Sequence, residues 1–166
     1  MKIMKRLLFF LLSTMLMVSC KQYYDAIASV DIKYENKTKY NIEITDLEWR
    51  GAQYIEYDKY ENNITLTPGS CHRGAQMHFM TNEPLSSRPS GTSYYPSAAT
   101  IWFNGEYVVR IEADANTKED ATIASLINPA NYKDKVNGKF GWTLTYTFTD
   151  ADYEYAVENG QRVTEE

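Results

Sequence analysis

The fold is decided by the stretch "ATIWFNGEYVVRIEA", residues Ala99 to Ala113. Two runs of β-branched, aromatic and small residues flank Asn104-Gly105. That dipeptide tolerates the positive φ angles required at both central positions of a type I′ turn, so the stretch predicts an antiparallel hairpin. The same period-two alternation recurs outward in both directions. In "SVDIKYEN", Val30, Ile32 and Tyr34 alternate with Asp31, Lys33 and Glu35, the pattern of a half-buried strand. "YNIEITDLEW" repeats it with Ile42 and Ile44, and "NKTK" (Asn36 to Lys39) reads as the polar turn between these two strands. "NITLTPGS" sets Ile64 and Leu66 before a Pro68-Gly69 turn, and "AQMHF" alternates Ala75, Met77 and Phe79. In "KFGWTLTYTFTD", Trp142, Leu144, Tyr146 and Phe148 share one face of a long strand and Thr143, Thr145 and Thr147 the other.

Two segments between or after these strands carry helix signals. In "NTKEDATIASLINPANY", Thr117 is a capping residue with Asp120 three positions on, and Pro129 closes the segment. In "TDADYEYAVENG", Thr149 and Asp152 repeat the start signal and Gly160 the stop, which predicts a short C-terminal helical turn. Residues 82–98, "NEPLSSRPSGTSYYPSA", are rich in Pro, Ser and Gly and read as a long surface loop. About seven short strands with turn signals between them, and one or two short helices, predict an all-β fold: a two-sheet antiparallel β-sandwich, with a β-barrel as the alternative.

The N-terminus is of another kind. Lys2, Lys5 and Arg6 precede an apolar run, Leu7 to Leu12, which Ser13 and Thr14 interrupt before Met15 to Val18. A membrane-crossing helix needs about 20 apolar residues. This run is shorter and ends on Ser19, the layout of a secretory signal with a small-residue cleavage site. The expected organisation is a signal peptide over 1–19, a tether over 20–28, a sandwich over 29–160 and a C-terminal tail over 161–166. Without residues 1–19, 147 of the 166 residues remain. The removed part holds three basic residues and no acidic one, so the formal net charge moves from −5 to −8. A net-acidic chain without a basic stripe argues against nucleic acid and anionic membrane surfaces as partners.

Cys20 follows the run directly. "MVSC" resembles the lipobox of bacterial lipoproteins, in which the thiol is acylated and the cysteine becomes the first mature residue; Met17 stands where Leu is more usual. One acyl chain holds a protein only marginally, whereas several hold it stably. The resemblance therefore implies a membrane partner through lipid, palmitate included, on Cys20. With Cys20 acylated, Cys71 is left without an intrachain partner, which argues against a disulfide framework. The lipobox, the small β-rich domain, "SLINPANYK" and "YTFTDADYEYA" together resemble the small lipoproteins of Bacteroidota (Bacteroides-type) cell envelopes. That resemblance implies an envelope location and an immunoglobulin-like or related sandwich, and it carries no active site to transfer. Lys21, rather than Asp, follows the cysteine, and "KQYYD" offers only Asp25 as an acidic residue. The expectation is the outer membrane, its periplasmic face before the cell surface.

Catalytic and metal chemistry find little footing. "CHRGAQMH" brings Cys71, His72 and His78 together, and a regular strand would put the two histidines on one face. The spacing matches no usual zinc pattern, and a structural site wants four ligands. Adjacent Cys71 and His72 diverge and lack an orienting third residue, so they make no nucleophilic pair. Asp114, Asn116 and Asp120 alternate as in a calcium loop, without its glycine or its bidentate glutamate. The "NKT" and "NIT" sequons are incidental behind a bacterial lipobox. No metal, no cofactor and no enzymatic activity is expected. What remains are aromatic residues suited to binding: Tyr54, Tyr57 and Tyr60 at spacing three, and Tyr94 and Tyr95 with Arg88 in the long loop. The expected function is non-enzymatic, structural or accessory in an envelope complex with another envelope protein. The alternative is glycan binding through Tyr94, Tyr95 and Arg88.

Overall fold

In the computed structural model, residues 26–49, 56–81, 95–112 and 126–163 are described. They form two five-stranded sheets packed face to face. The strands are β1 (Ala26–Asn36), β2 (Ile42–Trp49), β3 (Glu56–Tyr60), β4 (Ile64–Leu66), β5 (Cys71–Thr81), β6 (Pro96–Phe103), β7 (Tyr107–Glu112), β8 (Tyr132–Val136), β9 (Gly141–Phe148) and β10 (Gln161–Arg162). One sheet has the order β3-β5-β1-β9-β8 and the other β10-β7-β6-β2-β4. The architecture is a sandwich rather than a single closed barrel. All pairings are antiparallel except β1 with β9, which run parallel.

The hairpin of β6 and β7 turns on Asn104 and Gly105, at φ 52° and 71°. The Glu106 N–H closes the turn on the Phe103 carbonyl at 2.9 Å. By contrast, "NKTK" is not a hairpin turn. β1 and β2 lie in different sheets, so residues 37–41 carry the chain across the sandwich. Asn36, fully buried, makes that crossing possible. Its Nδ2 donates to the Tyr40 and Leu66 carbonyls at 2.8 and 3.1 Å. Its Oδ1 accepts from the Thr38 N–H and hydroxyl at 2.9 and 2.8 Å. The Asn-x-Thr pattern at 36–38 is thus a side-chain clamp on a loop, a use Asn and Thr are suited to.

The Pro68-Gly69 turn likewise leads from β4 in one sheet to β5 in the other, with Gly69 at φ 77°. Gly74 sits at the register shift between β5 and Ile32/Lys33 of β1. A Cβ there would lie 2.3 Å from Tyr34 Cε2, so the close approach of the Tyr34 ring requires glycine.

The core lies between the sheets. Val30, Ile32, Tyr34, Met77, Leu144 and Tyr146 project from one side; Ile42, Ile44, Leu66, Ile101 and Phe103 project from the other. The parallel register sets Val30 beside Trp142, Ile32 beside Leu144 and Tyr34 beside Tyr146, so both alternating patterns feed one face. The expected core face of β9 is buried throughout; Thr143 on the opposite face is buried too, accepting from Asn137 Nδ2.

The boundaries differ from expectation in several places. β1 begins at Ala26, inside the expected tether, and β10 lies in the expected tail, pairing with β7. β6 begins at Pro96, so residues 96–98 belong to a strand rather than to the loop. "TDADYEYAVEN" forms a ten-residue helix, α1 (Asp150–Asn159). Asp152 Oδ2 accepts from the N–H and hydroxyl of Thr149 at 2.7 and 3.0 Å, and Oδ1 accepts from the Tyr146 hydroxyl at 2.5 Å. Pro129 opens a 3-10 turn, Pro129–Asn131, capped by Asn128. Thr117 and Asp120 of the first helix signal lie outside the described residues.

Candidate functional site

The loop residues offered for ligand binding divide. Arg88 and Tyr94 lie outside the described residues, as do Cys20 and the calcium-like Asp114, Asn116 and Asp120. Tyr95 is described, and its expected role in recognition is corrected: it is only 1% exposed and meets the Tyr132 ring edge-on at 4.9 Å. The ring turns inward at the loop-to-strand junction because it covers the end of the core, where Tyr132, Tyr146 and Leu126 are also buried.

The histidine expectation is also revised. The irregularity at Gly74 reverses the alternation, so His72 lies opposite buried Tyr34 on the inner face and His78 opposite Ser29 on the outer. The His72 ring meets Glu61 at 2.7 Å at the sandwich rim, and Cys71 is exposed. Among the described residues, no three His, Cys, Asp or Glu side chains are grouped to hold a metal.

The two outer faces differ in charge. On the first sheet, Arg73, Lys33, Thr145 and Lys133 occupy adjacent positions across β5, β1, β9 and β8. Arg73 of this row is ion-paired with Asp31 at 3.5 Å; the row stays hidden in the sequence because its members come from four strands. The outer face of the second sheet is acidic. There Arg110 is enclosed: its guanidinium donates to Glu112 and Glu48 at 2.9 Å each, and to the Thr100 hydroxyl at 3.3 Å. The bonds to Glu112 and then Glu48 raise its pKa above the ordinary arginine value. Asp46, at φ 50° beside a break in the β2–β6 register, accepts from Thr100 at 3.1 Å. These polar groups are spent on one another.

One strand row away the arrangement changes. Thr65 of β4, Glu43 of β2 and Trp102 of β6 stand side by side in register. Directly paired residues share a face, so all three point outward. Trp102 is half-buried, and its indole N–H donates to the Thr45 hydroxyl at 3.3 Å, which fixes the ring. At the row's end, Asn104 Oδ1 accepts from the Asn41 N–H at 2.9 Å while the Asn104 N–H donates to the Asn41 carbonyl at 2.8 Å. These residues line a shallow cleft of about 120 Å³. Among the described residues, the Glu43 carboxylate, the Thr65 hydroxyl and the Asn104 Nδ2 make no hydrogen bond or ion pair. The cleft therefore offers an acceptor, a hydroxyl and a donor around an immobilised aromatic ring. Glu43, Thr65 and Trp102 are the outward phase of their strands and Asn104 opens the hairpin turn, which is legible; their adjacency depends on the order β4-β2-β6, which is not.

No family model, curated protein or solved structure matches the chain.

Proposed function

We propose that this protein is a non-enzymatic, lipid-anchored cell-envelope protein, held to the outer membrane through Cys20 and serving as an accessory or binding module on the periplasmic side. The observation that carries this reading is "MVSC" closing a basic-then-apolar N-terminal segment, six residues before the first strand. Stable anchoring follows from several acyl chains on one residue. Polar side chains of the described residues support a binding role over a catalytic one: Asp152 caps a helix, Asn36 clamps a loop and Arg110 is saturated by its neighbours. Metabolic labelling with a clickable fatty acid should mark the wild-type protein and not Cys20→Ala, and Cys20→Ala should leave the membrane fraction. Equal labelling of both would overturn the anchor.

A further inference from the structure

We propose that the cleft at Trp102 is a saccharide-binding site for neutral glycan chains. The inference rests on reading the protein as a binding module, but not on its lipid anchor. A pyranose ring has an apolar C–H face and a rim of hydroxyls that both donate and accept. It therefore needs an aromatic plane with acceptors and donors set around the plane's edge, an arrangement that also spends little entropy when the plane is already fixed. The cleft supplies each part: Trp102 held through Thr45, the acceptor-only carboxylate of Glu43, the Thr65 hydroxyl, and the Asn104 amide held by Asn41. All of them sit on strands or on a bonded turn, so the geometry exists before a ligand arrives.

The surroundings select among saccharides. Glu43, Asp46, Glu48 and Glu112 share this outer face, and among the described residues Arg110 is the cation that opposes them. Arg110 is already bound to two of the carboxylates, so the face repels uronic acids and phosphorylated sugars and admits uncharged ones. The cleft is open along the sheet, which suits an internal unit of a chain as well as its end.

The test uses the full-length protein extracted in a zwitterionic, sugar-free detergent, because an alkyl glycoside would compete for the cleft. Hexasaccharides of glucose (α- and β-linked), mannose, xylose and N-acetylglucosamine are titrated by calorimetry, with a hexauronate for comparison. At least one neutral hexasaccharide should bind, with a Kd of about 10⁻³ to 10⁻⁵ M. Trp102→Ala should weaken it by about tenfold or more, and Glu43→Gln by several-fold with an unchanged melting temperature. Should Trp102→Ala fail to fold, Glu43→Gln and Thr65→Val, at exposed positions without internal partners, carry the test. Absence of binding to every neutral chain, a preference for the uronate, or binding that the folded variants leave intact overturns the proposal. Fatty-acid labelling at Cys20 is read separately, so failure of the cleft leaves the anchor standing.

Discussion

Asn36 fills all four of its side-chain hydrogen-bonding positions inside the protein, joining the end of β1 to the crossing loop and to β4. Truncating it takes the side-chain partner from the Leu66 carbonyl and the Thr38 N–H in a buried place, each group costing about 1–3 kcal/mol when left unpaired, while the Tyr40 carbonyl keeps the Thr38 hydroxyl at 3.3 Å. Asn36→Ala should therefore destabilise by roughly 3 kcal/mol, seen as a lower urea midpoint with an unchanged slope; a midpoint near wild type would mean water replaces the clamp. At this scale the sequence is informative about burial and poor about partners. Tyr34 and Val30 fall on the inner face as their alternation predicts. Tyr95, in a Ser- and Pro-rich setting, carries no sign that it closes the core. Its burial depends on Tyr132, some forty residues away in the chain.

For the strands, period and partner separate what is legible from what is not. β9 is readable because four large apolar residues at period two have no other use than a core. Trp142→Ala should cost about 3–5 kcal/mol, as truncation of a buried aromatic does. Thr143→Ala, which removes the acceptor for Asn137 Nδ2, should cost about 1 kcal/mol. Equal losses in denaturant melts would mean that the two faces are wrongly assigned. β8, "YKDKV", is illegible for a physical reason: as an edge strand it buries only Tyr132, and its lysines protect the open edge. β10 is too short to show a period, and β3 hides in a segment whose tyrosines look like surface platforms. The helix start signal at Thr149 works because Asp152 serves the cap and Tyr146 at once.

At the scale of the whole molecule, Tyr34, Tyr95, Tyr132 and Tyr146 are buried in the core, and this sets an alkaline limit. Burial pushes the hydroxyls of Tyr34, Tyr132 and Tyr146 well above the ordinary tyrosine pKa; the neighbouring Asp152 charge adds to the effect on Tyr146. Below pH about 10 both folded and unfolded chains keep these protons, and stability does not depend on them. Above it the unfolded chain releases protons that the folded chain retains, so stability should fall by about 1.4 kcal/mol per pH unit for each such tyrosine. Denaturant midpoints between pH 9 and 11 should show this fall, and Tyr34→Phe should lessen its slope by roughly one tyrosine's share. A midpoint level across that range would refute it. Fold class was readable from local alternation, whereas the basic row and the cleft at Trp102 arise only when strands from distant parts of the chain become neighbours. The same strand order has a mechanical side. β1 lies in the middle of its sheet, laddered on one flank to β5 and on the other to β9. Tension applied at residue 26 must shear both ladders together, whereas tension at residue 162 meets the two-residue pairing of β10 with β7 and the Val163–Glu106 backbone bond beside it, which can peel open bond by bond. The sandwich is thus a clamp at its N-terminal end and a zipper at its C-terminal end, and a load applied at the start of β1 reaches it where it resists most.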